Sequence, residues 1–285
     1  MESQPRKVIQ IIEPQPVIEG AGVRLKRSFP THIVDYLDPF LLLDHFASDN
    51  PEDYLAGFPM HPHRGIETVT YILAGVVHHR DSLGNTGSIG AGDVQWMTSG
   101  HGIMHEEMPK PRDGKMAGFQ LWVNLPARLK MTKPKYQEVL AKRIPVIQRP
   151  DGVKIRVIAG STEGVQGPVT EIAADPTYLD ISLPVNISFS HSVERGHTVF
   201  AYVFEGEGMF GISNEEETVF DPKLVVFGDG DHIMIRTTRK PVRLLLVAGK
   251  PQYEPIARYG PFVMNTREEI EQALQDLREG TFVQP

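Results

Sequence analysis

Two short stretches hold the residues best suited to chemistry. His61-Pro62-His63-Arg64-Gly65 and His105-Glu106-Glu107 each place two metal-capable side chains two residues apart. On an extended strand that spacing turns both side chains to one face. Two such pairs facing across a small barrel offer three imidazoles, His61, His63 and His105, and one carboxylate, Glu107, to a single ion. Glu106, between two inward residues, then points away. Nitrogen and oxygen donors of this kind suit iron, manganese, nickel, copper or zinc. A histidine outside such a pattern is more often structural or a surface residue, and His45, His78, His79, His101, His191, His197 and His232 are read that way.

The elements that must position these residues are strands. The 285-residue chain is 40% hydrophobic, enough for one large core or two modest ones. Its 26 glycines and 23 prolines interrupt the sequence every few residues, and the segments between them are rich in β-branched side chains. That pattern marks an all-β architecture. Strands are expected at Val23–Phe29, Thr68–Leu73, Val94–Met97, Gly118–Leu125, Lys154–Ala159, Tyr178–Leu183, Val199–Phe204 and Val242–Val247. A helix is expected after Thr266-Arg267-Glu268-Glu269, which reads as a capping box followed by Ile270, Ala273, Leu274 and Leu277 at helical spacing. A shorter helix is expected after Pro134 through Leu140.

A weak internal repeat organises the whole. Tyr71-Ile72-Leu73-Ala74-Gly75 followed by Gly92-Asp93 is echoed by Tyr202-Val203-Phe204-Glu205-Gly206 followed by Gly230-Asp231. Both halves read as strand, glycine turn, excursion, Gly-Asp turn, strand, which implies two tandem barrels. The division is drawn as 1–133, a metal-binding barrel, and 134–285, a second barrel with the C-terminal helix. Pro134, Pro145 and Pro150 crowd the join, between about Met131 and Gly152. The second half has no His-x-His, and its Gly230-Asp231 turn leads to Ile233, Ile235 and Arg236 instead of His-x-Glu, so it is expected to be metal-free.

Charge and composition narrow the functional classes. The net charge of −7, with no basic run, disfavours direct binding to nucleic acid. Zero cysteines exclude disulfides and thiolate ligands and fit a reducing compartment. Met1 to Gln10 show no signal-peptide pattern, and no apolar run approaches membrane-spanning length. The chain is expected to be soluble and cytoplasmic, with no membrane partner.

The longer motifs resemble a known family. His61-Pro-His-Arg-Gly-Ile-Glu-Thr-Val-Thr-Tyr71, Gly92-Asp-Val-Gln-Trp-Met97, Ser99-Gly-His-Gly-Ile-Met-His-Glu-Glu-Met-Pro109 and Gln120-Leu-Trp-Val-Asn-Leu125 are similar to the signature of the pirins. The likeness runs from about Pro39 to Asn265. It implies two tandem cupin barrels of jelly-roll type, with iron, as Fe2+, in the first only. Carried over by motif, the ligands are His61, His63, His105 and Glu107. Glu67 is the runner-up carboxylate, because ordinary cupins take theirs from this earlier motif. Arg64 and Gln120 are candidates to orient the imidazoles, and His101 lies in a loop close in sequence to the site. Trp96, Met97, Phe58 and Trp122 read as core before they read as pocket.

The resemblance also implies an activity, quercetin 2,3-dioxygenase. A flavonol's 3-hydroxyl is deprotonated, with Glu107 as both ligand and base, and its central ring is cleaved by O2 with loss of carbon monoxide. The alternative is a redox-sensitive, metal-dependent protein that docks transcription factors or metabolic enzymes. A third reading is a metal-stabilised barrel with neither activity nor partner. The enzyme is favoured because no basic nuclear-targeting run is visible.

Overall fold

β-Branched and aromatic runs between glycine and proline turns become strands along nearly the whole chain. The computed structural model describes residues 3–110, 114–212 and 215–284, so Met1 and Glu2 of the amino-terminal stretch lie outside the described residues. The chain divides into two compact units, each assembled from two pieces of sequence.

The unit with both histidine stretches comprises residues 15–141 and 252–285. Its larger sheet runs, edge to edge, through Lys135–Val139, Val94–Thr98, Ile66–Ala74, Met116–Asn124, Phe40–Ser48, Val23–Phe29 and Gln15–Glu19. A second sheet orders Phe58–His63, Ile103–Lys110, Val76–Asp81 and Thr86–Gly90. All these pairings are antiparallel. Val23, Leu25, Ile72 and Met116 from the first sheet meet Val77 and Ile89 from the second in one buried cluster. Removing that apolar surface from water holds the two sheets face to face. The turn after Ile66–Ala74 requires glycine, since Gly75 has φ 84° and a Cβ there would lie 2.4 Å from Met116 Sδ.

The C-terminal helix, Arg267–Glu279, starts as its sequence dictates. Thr266 and Glu269 satisfy each other's backbone N–H groups, and Gly280 ends the helix in a left-handed conformation. Ile270 and Ala273 bury against Phe262, Met264 and Phe282 of the same unit. The short helix expected after Pro134 is instead the strand Lys135–Val139, which pairs with Val94–Thr98. Tyr136 and Val139 favour extended backbone, and the hydrogen bonds of an open sheet edge decide the outcome.

The other unit comprises residues 1–14 and 142–251. Its main sheet runs through Val8–Ile12, Lys223–Phe227, Thr198–Phe210, Val242–Gly249, Thr177–Leu183, Lys154–Ala159 and Val146–Gln148. Ser188–Ser192, Glu217–Phe220 and His232–Arg236 are paired off this path. Val157, Leu179, Ala201, Val225, Leu244 and Leu246 belong to its buried core. A single cut at 133/134 differs from these units at the termini and at the join, which falls after residue 141. Val8–Ile12 finds its hydrogen-bond partner in Lys223–Phe227, and the last helix covers its apolar face within the histidine-bearing unit. Among the described residues, no helix is long and apolar enough to cross a membrane.

Candidate metal centre

The two histidine stretches are neighbouring antiparallel strands. His61 stands directly opposite His105, and His63 opposite Ile103. The ring centroids of His61 and His105 are 4.3 Å apart, those of His61 and His63 4.9 Å, and those of His63 and His105 5.0 Å. One ring nitrogen from each residue can be chosen so that all three lie within 4.8 Å of one another.

Hydrogen bonding fixes which nitrogens converge. His61 Nδ1 lies 2.9 Å from the Pro59 carbonyl and His63 Nδ1 lies 3.4 Å from the Pro261 carbonyl. A carbonyl accepts only, so each Nδ1 carries the proton and each Nε2 is left with a lone pair. Those two Nε2 atoms are 3.1 Å apart. Two lone pairs at that distance repel unless a cation lies between them, and nitrogens about 2.0–2.1 Å from one ion stand roughly 3 Å apart. His105 is fully buried, and neither of its ring nitrogens has a hydrogen-bond partner. Burial holds the His63 and His105 imidazoles well below their usual range, and neighbouring imidazoles add to the effect. Neutral rings with a free lone pair are the form a metal binds. The residues present therefore fit a metal ion.

Glu107 faces inward beside them. From residue 103 to residue 108 the side chains alternate buried and half-buried, so Ile103, His105 and Glu107 share the inner face. The pairing slips between His105 and Glu107, where Phe58 becomes the opposite residue. Thr70 Oγ1 donates to Glu107 Oε1 over 2.8 Å and stands at the same distance from the Gln120 side-chain amide. The tight histidine group does not include a Glu107 oxygen. Glu106 turns outward and accepts from Arg80 Nε at 3.0 Å. Glu67 is buried on the other sheet, where it accepts from the Thr98 hydroxyl at 2.8 Å.

The remaining candidates separate clearly. Arg64 does not bond the imidazoles; its Nε donates to the His101 carbonyl and its Nη1 to Asp276 Oδ2. His101 therefore contributes its backbone to this contact. Trp96 and Met97 are buried core, whereas Phe58 and Trp122, expected as core, line a cavity of about 500 Å³ together with His61, His63 and Glu107. Trp122 meets the His63 ring edge-on at 5.1 Å.

One pair was missed. His79 and Asp81 lie on Val76–Asp81, where Asp81 pairs with His105 and His79 with Glu107. His79 Nε2 is 3.2 Å from Asp81 Oδ2, and its ring centroid is 5.4 Å from that of His105. The His-x-Asp spacing of residues 79–81 was the available signal, since it obeys the same two-residue rule. In the other unit, Ser188–Ser192 and His232–Arg236 form a comparable strand pair, but Phe189 faces Ile235 and His191 faces Ile233.

The pirin family model matches residues 22–123, and the model of the pirin C-terminal cupin domain matches residues 178–283. A pirin-like protein of Caulobacter vibrioides is 46% identical, with 97% of this chain and 99% of that protein covered. Human pirin is 41% identical over 91% of this chain and 88% of its own. The crystal structure of quercetin 2,3-dioxygenase from Acinetobacter baumannii is 35% identical, covers 98% of both chains and superposes with a TM-score of 0.88. A bacterial pirin from Escherichia coli in complex with nickel(II), 19% identical, shares the fold with a TM-score of 0.66, covering 85% of this chain and 99% of its own. With two cupin domains and sequence identity along nearly its whole length, the chain belongs to the pirin family.

Proposed function

We propose that this chain is a metal-dependent dioxygenase that opens flavonols of the quercetin type with O2, and that His61, His63, His105 and Glu107 hold its ion, Fe2+. The observation that carries the reading is the convergence of three imidazoles, with Glu107 beside them, against one cavity of about 500 Å³. That volume is in the range of small-molecule sites. When bound, Fe2+ supplies Lewis acidity and one-electron redox chemistry. Manganese, nickel, copper and zinc can use the same donors.

The residues of the chain do the rest. Glu107 takes the proton of the flavonol 3-hydroxyl. Thr70, donating to Oε1, fixes the carboxylate, so that Oε2 would serve the ion and the proton in alternation. Phe58 and Trp122 give the cavity aromatic walls against which a planar substrate packs and water is excluded. The relationship to a quercetin 2,3-dioxygenase structure supports the substrate class.

Aerobic incubation of the iron-loaded protein with quercetin tests the proposal. Loss of the flavonol absorption band with release of carbon monoxide is the expected result. An unchanged band, with full metal occupancy confirmed by elemental analysis, overturns it.

A further inference from the structure

The cavity wall holds two arginines in very different situations. Arg27 is spent on protein carboxylates. Its Nε and Nη2 donate to the two oxygens of Asp44 at 2.8 and 2.6 Å, and its Nη1 donates to Glu19 at 2.6 Å. Arg258 has no such partner. Among the described residues no carboxylate oxygen lies within 4 Å of it, and its hydrogen bond is a long one, 3.3 Å, from Nη1 to the Leu41 carbonyl. Its guanidinium carbon instead lies 5.2 Å from the centroid of the Trp122 ring. A guanidinium has five N–H donors, so most of them remain available to a ligand.

The electrostatics favour an incoming anion. Arg258 is exposed to solvent, yet the protein atoms crowded round it and the nearby Arg27 cation both weaken its charged form. Asp35, Asp44 and Glu19 offset this from a distance, but Asp44 and Glu19 are already engaged by Arg27. A guanidinium pressed by a second cation and unpaired with any carboxylate gains from an oxyanion of its own.

The apolar walls specify what carries that oxyanion. Leu25, Leu42, Phe46 and Phe58 line the cavity with Trp122. Trp122 touches His63 at one contact and Arg258 at another, so both lie within about one indole ring of the same aromatic surface. We infer that Arg258 forms an anion-recognition subsite of this cavity, selecting substrates whose aromatic frame carries a carboxylate or an ionised phenol. The inference deepens the dioxygenase reading by naming a substrate class, and rests on that cavity being where substrate sits.

A binding measurement separates the two claims, because it needs no turnover. The probes are 2-naphthoate and the neutral, isosteric 2-naphthamide, titrated calorimetrically into the metal-loaded protein. Wild type is expected to bind the carboxylate about tenfold more tightly than the amide. Arg258→Gln should abolish that preference by weakening the carboxylate far more than the amide, and Arg258→Lys should restore part of it. Equal affinities in wild type, no binding of either probe, or a preference that survives in Arg258→Gln through the ion itself each overturns the inference. An intact preference in a protein that leaves quercetin unchanged overturns the dioxygenase reading alone.

Discussion

Arg64 Nη1 donates to Asp276 Oδ2 over 2.6 Å and so ties the residue after His63 to the C-terminal helix. The arginine is 1% exposed and the aspartate side chain 15%, so neither is well solvated if the other is removed. Arg64 also lies 4.5 Å from the centroid of the Phe282 ring and holds the His101 carbonyl. Arg64→Met is expected to destabilise the protein by about 3 kcal/mol. It should also speed amide exchange in residues 267–279, as read by hydrogen–deuterium exchange with mass spectrometry. A wild-type melting temperature would contradict this.

The histidine cluster makes a stoichiometric prediction. His61→Ala, His63→Ala and His105→Ala each remove one of three convergent nitrogens, and each should lower metal affinity by about tenfold or more. His197→Ala lies in the other unit and should leave metal content unchanged. Elemental analysis after dialysis against a weak chelator distinguishes the two classes.

The two candidate carboxylates differ in surroundings and should differ in effect. Glu107 lines the cavity, so Glu107→Gln is expected to lower quercetin turnover by about 10²–10⁴ while lowering metal content less. Glu67 accepts a hydroxyl hydrogen bond inside the sheet, so Glu67→Gln should keep its turnover and lose about 1 kcal/mol of stability. An active Glu107→Gln beside an inactive Glu67→Gln would reverse the assignment.

A pH dependence follows from His191 in the second unit. Burial, reinforced by Arg149 and opposed by Glu163, pushes its imidazole down to about 4. Unfolded, the ring titrates near 6.5. Between those values the unfolded chain takes up a proton that the folded chain refuses, so stability falls as pH drops from about 6.5 towards 4. The loss attributable to this ring is on the order of 3 kcal/mol at the acid end. His191→Asn should flatten the acid limb of the melting curve measured from pH 7 to 4.5, with little change at pH 7. An identical acid limb in the variant would exclude His191 as its source.

The period-two rule made the inner face of Ile103–Lys110 legible, because it needs only strand geometry, and His105 and Glu107 do share that face. The same rule could have marked His79 and Asp81, whose likeness to the other pairs was hidden by Arg80 and the neighbouring His78. Two things were out of reach. Tyr136 and Val139 sit in a segment whose strand state depends on an open sheet edge supplied by residues 94–98. Arg258 lies more than a hundred residues from the histidines, and nothing local distinguishes a spent guanidinium from an available one. The family motifs mark the His61–Glu107 region, but pairing across the sheets decides which other side chains reach it.

Because residues 252–285 belong with residues 15–141, the histidine-bearing unit is finished last during synthesis. A ribosome that has passed residue 251 has already made every proposed ligand. It has not yet made Pro261, whose carbonyl orients His63, or the helix that Arg64 grips. The nascent chain thus carries the paired strands that bring its imidazoles together before it has the carbonyl that orients His63 and the helix that anchors Arg64.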